Sequence, residues 1–365
     1  MNDNGYKTSI ISLSVFAAAV LVTGCILSFI VPKYKYIGAS KQITPTRVSY
    51  ETNATEVEST TEADEDRIIT LKNHESYKTI VSDMNILCNT YPELLELASA
   101  GSSERGRDML MFKMGNGKKN ALIIGAIHAR EHITVKYLLR VVEDYCIAYS
   151  STGTYAGYDL KKLFSEYTLY IMPCANPDGL EIMYLNDMYD SGVKVKNLTD
   201  YKANAKGVDL NRNFPLGWDK IDNGVTSPNG YYFKGYAAGD AKETQNLMSL
   251  CQRMNFEFML SFHVKGDCIF WGDTYNTQNN SAYRAFAQKI SSACGFELNP
   301  PSKDVSDYGG GFENWFRHTY QKPGLCIELV DKEEIIAPCD DSNYTDFKAF
   351  VRYESTSKAI LASMS

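Results

Sequence analysis

Four short apolar runs, separated by longer stretches with helical spacing, constrain the fold of this 365-residue chain more than any other feature. Each run is nearly continuous in apolar residues, as expected for a strand that is buried on both faces of a sheet. The stretches between them repeat apolar residues at helical spacing, and the last ends at Gly295, a typical helix stop. Strands that alternate with helices predict an α/β layered fold. The predicted strands are residues 121–127, 167–173, 256–263 and 324–330, and the predicted helices are residues 133–149, 241–255 and 282–295.

Residues 8–32 are a different kind of segment, because they contain no charged side chain over a length that can span a bilayer. A transmembrane anchor, preceded by a short tail of residues 1–7, is favoured over a cleaved signal segment. The apolar run exceeds the core of about 7–15 residues that is typical of a signal peptide. A cleaved segment, or a lipoprotein segment processed at Cys25 after "LVTG", remains an alternative.

Residues 33–66 are predicted to be an acidic, Thr- and Ser-rich linker. Residues 51–66 alone carry seven acidic side chains and no basic one, which equals the net charge of −7 of the whole chain. The remainder sums to zero, so the charge gives no argument for a nucleic-acid partner. The nine cysteines have no zinc-finger spacing, and their pairing stays open. Residues 67–365 are predicted to form one folded domain.

The sequence "HAREHIT" (128–134) places metal-ligand chemistry directly after a predicted strand. Two arrangements are possible: His128 and His132 hold a metal while Glu131 is the base, or His128 and Glu131 hold it. The second is favoured, because the strand runs straight into His128 and only His132 can lie in the following helix. His263 and Glu328 lie at or near the ends of two further predicted strands, where active sites of open α/β sheets form. Catalytic zinc needs three such ligands and an open position, so His128, Glu131 and His263 can bind it while Glu328 acts as the base.

Further motifs together resemble the zinc metallocarboxypeptidases of the carboxypeptidase A type, over roughly residues 75–360. That resemblance implies a single domain with a mixed central β-sheet flanked by helices. It also implies one zinc ion on His128, Glu131 and His263, with Glu328 as the general base, Arg130 polarising the carbonyl, and Asn211 and Arg212 holding the substrate carboxylate. The motifs, in the family's order, are "GSSERGRDM" (101–109), "HAREHIT", "NPDG" (176–179), "GVDLNRNFP" (207–215), "SFH" (261–263), "GGFENW" (310–315) and "CIELV" (326–330).

Three positions depart from the family's pattern. Lys202 stands where the family uses an arginine to stabilise the oxyanion, and a lysine lacks the planar fork of a guanidinium. Tyr308 is the tyrosine nearest to the family's mobile one, although counting places Ser306 at that position. Glu313 falls where the family's specificity residue lies, so it is expected either to favour a cationic substrate side chain or to face solvent.

A narrower resemblance concerns the substrate. The segments "YKANAKGVDLNRNFP" (201–215) and "HVKGDCIFW" (263–271) are similar to bacterial relatives that cut the γ-D-glutamyl–diaminopimelate bond of peptidoglycan stem peptides. Those relatives tend to carry a basic residue at the position of Glu313. We therefore expect a membrane-anchored, extracytoplasmic zinc metallocarboxypeptidase with a monomeric catalytic domain. The alternatives are a cell-wall peptidase and an inactive surface binding module.

Overall fold

The computed structural model describes residues 67–69, 76–185, 193, 200–264, 266–274, 277–329 and 347–365. The chain divides into two units, Met1–Thr44 and Pro45–Ser365, and every described residue belongs to the second. The predicted tail, anchor and linker (residues 1–66) lie outside the described residues. Among the helices that are described, none is both long and apolar enough to cross a membrane.

A mixed β-sheet forms the centre of the described part of the chain, with eight strands in the order β1-β2-β6-β3-β7-β10-β8-β9. A two-stranded hairpin, β4-β5, stands apart from it. The strands β6, β3, β7 and β10 are neighbours that run parallel to one another, whereas β1, β2 and β8 supply the antiparallel pairs. The strands are β1 (Leu95–Ser102), β2 (Asp108–Met114), β3 (Lys119–Ile124), β4 (Thr154–Tyr155), β5 (Tyr158–Asp159), β6 (Tyr167–Met172), β7 (Phe256–His263), β8 (Cys268–Phe270), β9 (Glu297–Asn299) and β10 (Gly324–Glu328).

The helices begin and end at residues whose chemistry favours those positions. Ser76 caps the first helix by accepting the N–H of Thr79, and Gly295 ends another in the left-handed region at φ 83°. The helices are α1 (Tyr77–Thr90), α2 (Ile133–Ser151), α3 (Leu160–Glu166), α4 (Pro177–Leu185), α5 (Lys242–Met254), α6 (Asn280–Cys294), α7 (Val305–Tyr308), α8 (Phe312–Tyr320) and α9 (Phe347–Met364), with 3-10 turns at Leu210–Arg212 and Trp218–Lys220.

Strand β3 shows why its sequence is almost entirely apolar. Ala121 and Ile123 pack into one hydrophobic cluster, and Leu122 and Ile124 pack into a second cluster. Successive side chains of a strand point to opposite faces, so a central strand with helices on both faces needs apolar residues at every position. The first cluster contains residues of α1, α2, α6 and α9, and the second contains residues of α5 and α8. The predicted layered α/β fold is therefore confirmed.

The predicted strands and helices correspond to β3, β6, β7, β10, α2, α5 and α6. One boundary differs in a way that matters for the site. The strand predicted at residues 121–127 corresponds to β3, which ends earlier, at Ile124. Ala126 then adopts a left-handed backbone conformation at φ 44°, which is unusual for an alanine. The chain turns there, two residues beyond the end of β3, and delivers His128 to the carboxyl end of the parallel strands.

Candidate metal and catalytic site

Three buried ligand side chains converge at the carboxyl ends of β3 and β7. His128 and Glu131 lie in the loop between β3 and α2, and His263 is the last residue of β7. The Nδ1 atom of His128 lies 2.8 Å from Oε1 of Glu131, and Nδ1 of His263 lies 3.0 Å from Oε2 of the same carboxylate. The two Nδ1 atoms are 3.3 Å apart. The ligand atoms of all three residues lie within 4.8 Å of one another, which makes them a candidate metal site.

The geometry fits zinc. Two nitrogen ligands, each about 2.05 Å from a tetrahedral zinc ion, stand about 3.3 Å apart, and the two histidine nitrogens are 3.3 Å apart. Burial alone would raise the pKa of Glu131, but His128 and His263 hold that pKa well below its usual range. The carboxylate is therefore ionised, as metal ligation requires. Two histidines and one carboxylate are also a ligand set of catalytic zinc sites, which keep a fourth position open for water.

The loop that carries His128 and Glu131 is held by Thr134, in the first turn of α2. The Thr134 hydroxyl donates to the carbonyl oxygen of Glu131 and accepts the backbone N–H of Ala126, both at 2.8 Å. The backbone N–H of Glu131 donates to the carbonyl oxygen of His128 at 3.1 Å. These bonds fix both ligands relative to the end of β3.

His132, the ligand of the rival arrangement, lies outside this cluster. It is the residue before α2 begins, and its Nδ1 atom lies 3.1 Å from the carbonyl oxygen of Arg130. The cluster contains His263 in its place. The structure thus brings together the ligand set that the strand ends indicate.

A carboxylate lies at the outer nitrogen of each histidine. Oδ1 of Asp209 is 3.4 Å from Nε2 of His128. Oε1 of Glu313 is 3.1 Å from Nε2 of His263, and the Ser261 hydroxyl is 2.8 Å from the same nitrogen. Such partners fix the orientation of a metal-ligating imidazole and increase its basicity.

Asp209 lies at the site but is not among the residues that the sequence motifs single out. Burial would raise its pKa, but the nearby imidazole of His128 holds the pKa well below its usual range. Its carboxylate also accepts the backbone N–H groups of Asn211, at 3.2 Å, and Tyr232, at 3.1 Å. The available signal was its place inside "GVDLNRNFP", two residues before Asn211.

Glu313 does not face solvent, so that part of the expectation is wrong. Only 3% of the residue is exposed, and it points at His263 from the first turn of α8. Burial by itself would raise its pKa, but the hydrogen bond with His263 lowers that pKa to about 2, so the group is an anion at neutral pH. In the first turn of a helix, one residue can face the sheet while its neighbour faces away from it, and spacing along the sequence does not reveal which of them does so.

Glu328 lies beside His263 because their strands are in register. The two residues are Cα partners at the parallel pair of β10 and β7, at the end of each strand. Burial raises the pKa of Glu328 to about 7, against the opposing effect of His263. Its Oε2 atom is buried and has no hydrogen-bond partner among the described residues. A carboxylate with a pKa near neutrality and a vacant acceptor atom is suited to exchange a proton with a bound molecule.

Two cationic side chains border the site. Arg130 has its Nη1 atom 3.6 Å from Oδ1 of Asp200, and its buried Nε has no hydrogen-bond partner within the described part of the chain. Lys202 is tied to the ligand loop, since its carbonyl oxygen accepts the N–H of Ala129 at 3.2 Å. Its charge opposes the effect of burial on the pKa of Glu328. Both residues can supply positive charge near the metal cluster.

Asn211 and Arg212 lie in a 3-10 turn that follows Asp209. The Asn211 amide oxygen accepts the N–H of Phe312 at 2.7 Å, which links this turn to α8. The Arg212 guanidinium donates to the carbonyl oxygens of Asn211, at 2.7 Å, and Asp307, at 3.1 Å. A planar guanidinium held from behind by backbone carbonyls can present its remaining donors to a carboxylate.

Tyr308 ends the short helix α7, and its hydroxyl lies 3.2 Å from Oγ1 of Thr274. Gly310, two residues later, has φ 69°, and a Cβ there would lie 2.1 Å from the carbonyl oxygen of Arg212. The close approach of these two backbones requires a glycine, and it sets the distance between the "GGFENW" segment and the Arg212 turn.

Comparisons with known proteins agree with this site. The model of the zinc carboxypeptidase family matches residues 80–356. Gamma-D-glutamyl-L-diamino acid endopeptidase 1 of Lysinibacillus sphaericus is 26% identical over 274 residues, which are 72% of this chain and 67% of the relative. Carboxypeptidase B of Astacus astacus is 29% identical over 274 residues, which are 71% of this chain and 86% of the relative.

Among solved structures, the carboxypeptidase A of Helicoverpa armigera superimposes with a TM-score of 0.62 at 18% identity, covering 81% of this chain and 75% of that one. At this identity the likeness shows the fold alone. The mixed sheet and its flanking helices are thus those of carboxypeptidase A, as the sequence motifs implied.

Proposed function

The chain belongs to the zinc carboxypeptidase family, and from that premise we propose that it is a zinc-dependent metallocarboxypeptidase. It hydrolyses a peptide bond near a free C-terminal carboxylate. The main support is the buried cluster of His128, Glu131 and His263, which fits zinc, with Glu328 in register beside it. An inactive binding module is less well supported, because the metal ligands and the proton acceptor are all in place.

The roles of the side chains follow from their positions. Bound zinc supplies a Lewis acid that lowers the pKa of water and polarises a carbonyl group. Glu328 takes the proton of the attacking water through its vacant oxygen and returns it to the leaving amine. Arg130 and Lys202 donate hydrogen bonds to the oxyanion that develops on the carbonyl oxygen.

Recognition of the substrate's free end is assigned to the turn of Asn211 and Arg212. The guanidinium binds the carboxylate through two parallel hydrogen bonds, and Asn211 adds a donor from the same turn. Tyr308, at the end of α7, covers the bound end of the substrate. This arrangement selects a terminal carboxylate over an internal peptide bond, which makes the enzyme a carboxypeptidase.

A cell-wall substrate is the second candidate. The Lysinibacillus relative is named a gamma-D-glutamyl-L-diamino acid endopeptidase, and the sequence resemblance of residues 201–215 and 263–271 points the same way. The Glu313 carboxylate is engaged by His263, so it gives little support to a preference for Lys or Arg side chains. We therefore propose that stem peptides with a γ-D-glutamyl–diaminopimelate bond are a substrate class of this site.

One experiment separates these functions. The full-length chain, with and without zinc, is incubated with a muropeptide that contains L-Ala-γ-D-Glu-diaminopimelate and with linear peptides that differ only in the C-terminal residue. Mass spectrometry identifies the products. Cleavage of the γ-D-glutamyl bond alone would make it a wall peptidase, and loss of single C-terminal residues would make it a general carboxypeptidase. No cleavage of either substrate by the zinc-loaded protein would favour the binding module.

We also propose that residues 8–32 anchor the enzyme in the cell membrane, with the catalytic domain outside the cytoplasm. The charge-free apolar run and the acidic linker after it support this arrangement. Fractionation of cells, followed by protease treatment of intact spheroplasts, tests it. Digestion of the catalytic domain without lysis is the expected result.

A further inference from the structure

We propose that Glu313, together with Ser261, is a positioning residue that holds the zinc ligand His263 through its outer nitrogen. This inference rests on the proposed zinc-dependent function. It assigns Glu313 a role behind the metal ligand in place of one in substrate selection.

The two nitrogens of His263 face different partners. Nδ1 faces the cluster, 3.0 Å from Oε2 of Glu131 and 3.3 Å from Nδ1 of His128. Nε2 faces away from it, 2.8 Å from the Ser261 hydroxyl and 3.1 Å from Oε1 of Glu313. If Nδ1 gives its lone pair to a metal, Nε2 must carry the hydrogen, and a carboxylate is the partner that favours this tautomer most strongly.

The Glu313 carboxylate is directed at the His263 imidazole and is almost completely buried. The Glu313 side chain is 4% exposed and that of His263 is 1% exposed. A buried carboxylate is costly unless its oxygens accept hydrogen bonds, and His263 supplies such a bond. The position of Glu313 thus depends on the imidazole, and the imidazole's orientation depends on Glu313.

A carboxylate also lies near the outer nitrogen of the other histidine, His128. Asp209 lies 3.4 Å from Nε2 of His128, so both histidines of the cluster have an anion on the side away from the metal position. The two supports come from separate elements, a 3-10 turn and the first turn of α8. Each can be removed without touching the other.

Cys326 lies close to the same pair, within 4.8 Å of the ligand atoms of His263 and Glu313. Burial raises the pKa of its thiol to about 12, so the group is a neutral thiol at neutral pH. With Nδ1 of His263 in the first cluster, its Nε2 carries the hydrogen and cannot bind a second metal. The three side chains are therefore better described as the support of His263 than as a second metal site.

The test measures zinc affinity in the full-length chain by competition with a chromophoric chelator, for the wild type and for Glu313→Gln, Glu313→Asp and Ser261→Ala. Glu313→Gln is expected to raise the zinc dissociation constant about 10- to 100-fold. Glu313→Asp should recover part of the affinity, and Ser261→Ala should produce a smaller loss. The visible absorption spectrum of the cobalt-substituted protein should change in Glu313→Gln, because the geometry at His263 relaxes.

Glu143→Gln is the matched control. Glu143 is a buried glutamate of α2 that accepts the N–H groups of Ile68 and Ile69, at 2.8 and 3.1 Å. It lies ten residues into that helix, about 15 Å along its axis from the end beside the metal cluster. Its replacement should lower stability but leave the zinc dissociation constant and the cobalt spectrum unchanged.

Several outcomes would overturn the inference. One is an unchanged zinc dissociation constant in both Glu313→Gln and Ser261→Ala. Another is an unchanged zinc affinity in Glu313→Gln combined with a lost preference among C-terminal side chains, which would restore the specificity role. A second zinc equivalent that disappears in Cys326→Ser would replace the positioning role with a metal site. A wild type that binds no zinc would overturn the proposed function as well, and that result is distinct from the others.

Discussion

Replacing Glu328 with glutamine removes the proton acceptor while it keeps the size and shape of the side chain. A positioned general base contributes about 10²- to 10⁴-fold to the rate, which corresponds to about 3–5 kcal/mol in the activation free energy. We expect kcat of the zinc-loaded Glu328→Gln variant to fall by that factor, with KM changed little, because Arg212 and Asn211 still hold the carboxylate. Steady-state kinetics on the substrate identified above measure both constants.

The same substitution lowers activity but should increase the free energy of unfolding at high pH. The size of this increase follows from the pKa of Glu328. Burial raises the pKa of Glu328 from 4.5 to about 7 in the metal-free protein, and each pKa unit is worth about 1.4 kcal/mol. For an acid whose pKa is raised by folding, stability is unaffected below the unfolded pKa and falls as pH rises through the folded pKa. At pH 8 the wild type therefore bears a penalty of up to about 3 kcal/mol that is absent at pH 4.

Glutamine has no such titration. The difference in the free energy of unfolding, variant minus wild type, should increase by up to about 3 kcal/mol between pH 4 and pH 8. Burying the glutamine amide has a cost that does not depend on pH, so this cost cancels when the differences at pH 4 and pH 8 are compared. Urea denaturation of the two metal-free proteins at each pH measures it. A difference that is the same at both pH values would refute the burial argument, and a variant that retains kcat within a few-fold would refute the assignment of Glu328 as the base.

Three further predictions follow from the same geometry. Arg212→Lys keeps the positive charge but loses the planar guanidinium that can donate two parallel hydrogen bonds. The value of kcat/KM should fall about 10²-fold for a peptide with a free C-terminus, and this loss should vanish for the C-terminally amidated peptide. An equal loss on both peptides would exclude the carboxylate-binding role. Asp209→Asn should weaken zinc binding about 10- to 100-fold in chelator competition, and unchanged affinity would contradict its role at His128. Gly310→Ala should lose both stability and activity in denaturation and kinetic assays. The control Gly295→Ala has a similar positive φ with open space around the added Cβ, and it should lose only about 1–2 kcal/mol of stability. Equal losses in the two variants would show that the contact with Arg212 has no special cost.

The sequence by itself determined the layers of the fold and all three members of the metal cluster. Strands buried on both faces are apolar at every position, so β3, β6, β7 and β10 stand out in the sequence. Parallel strands end at one edge of the sheet, so polar residues at those ends are brought together whatever the length of chain between them. That rule placed His128 beside His263, although 135 residues separate them.

Only the tertiary structure decided which carboxylates lie near the outer nitrogens of the two histidine ligands. Whether Glu313 faces His263 or points away from it depends on the rotation of α8, which is fixed by packing such as that of Phe312 against Phe214. Asp209 reaches His128 from the position that caps the 3-10 turn Leu210–Arg212, and its neighbouring residues carry no periodic pattern. Contacts of this kind join segments far apart in the chain through irregular backbone, so local sequence signals do not encode them.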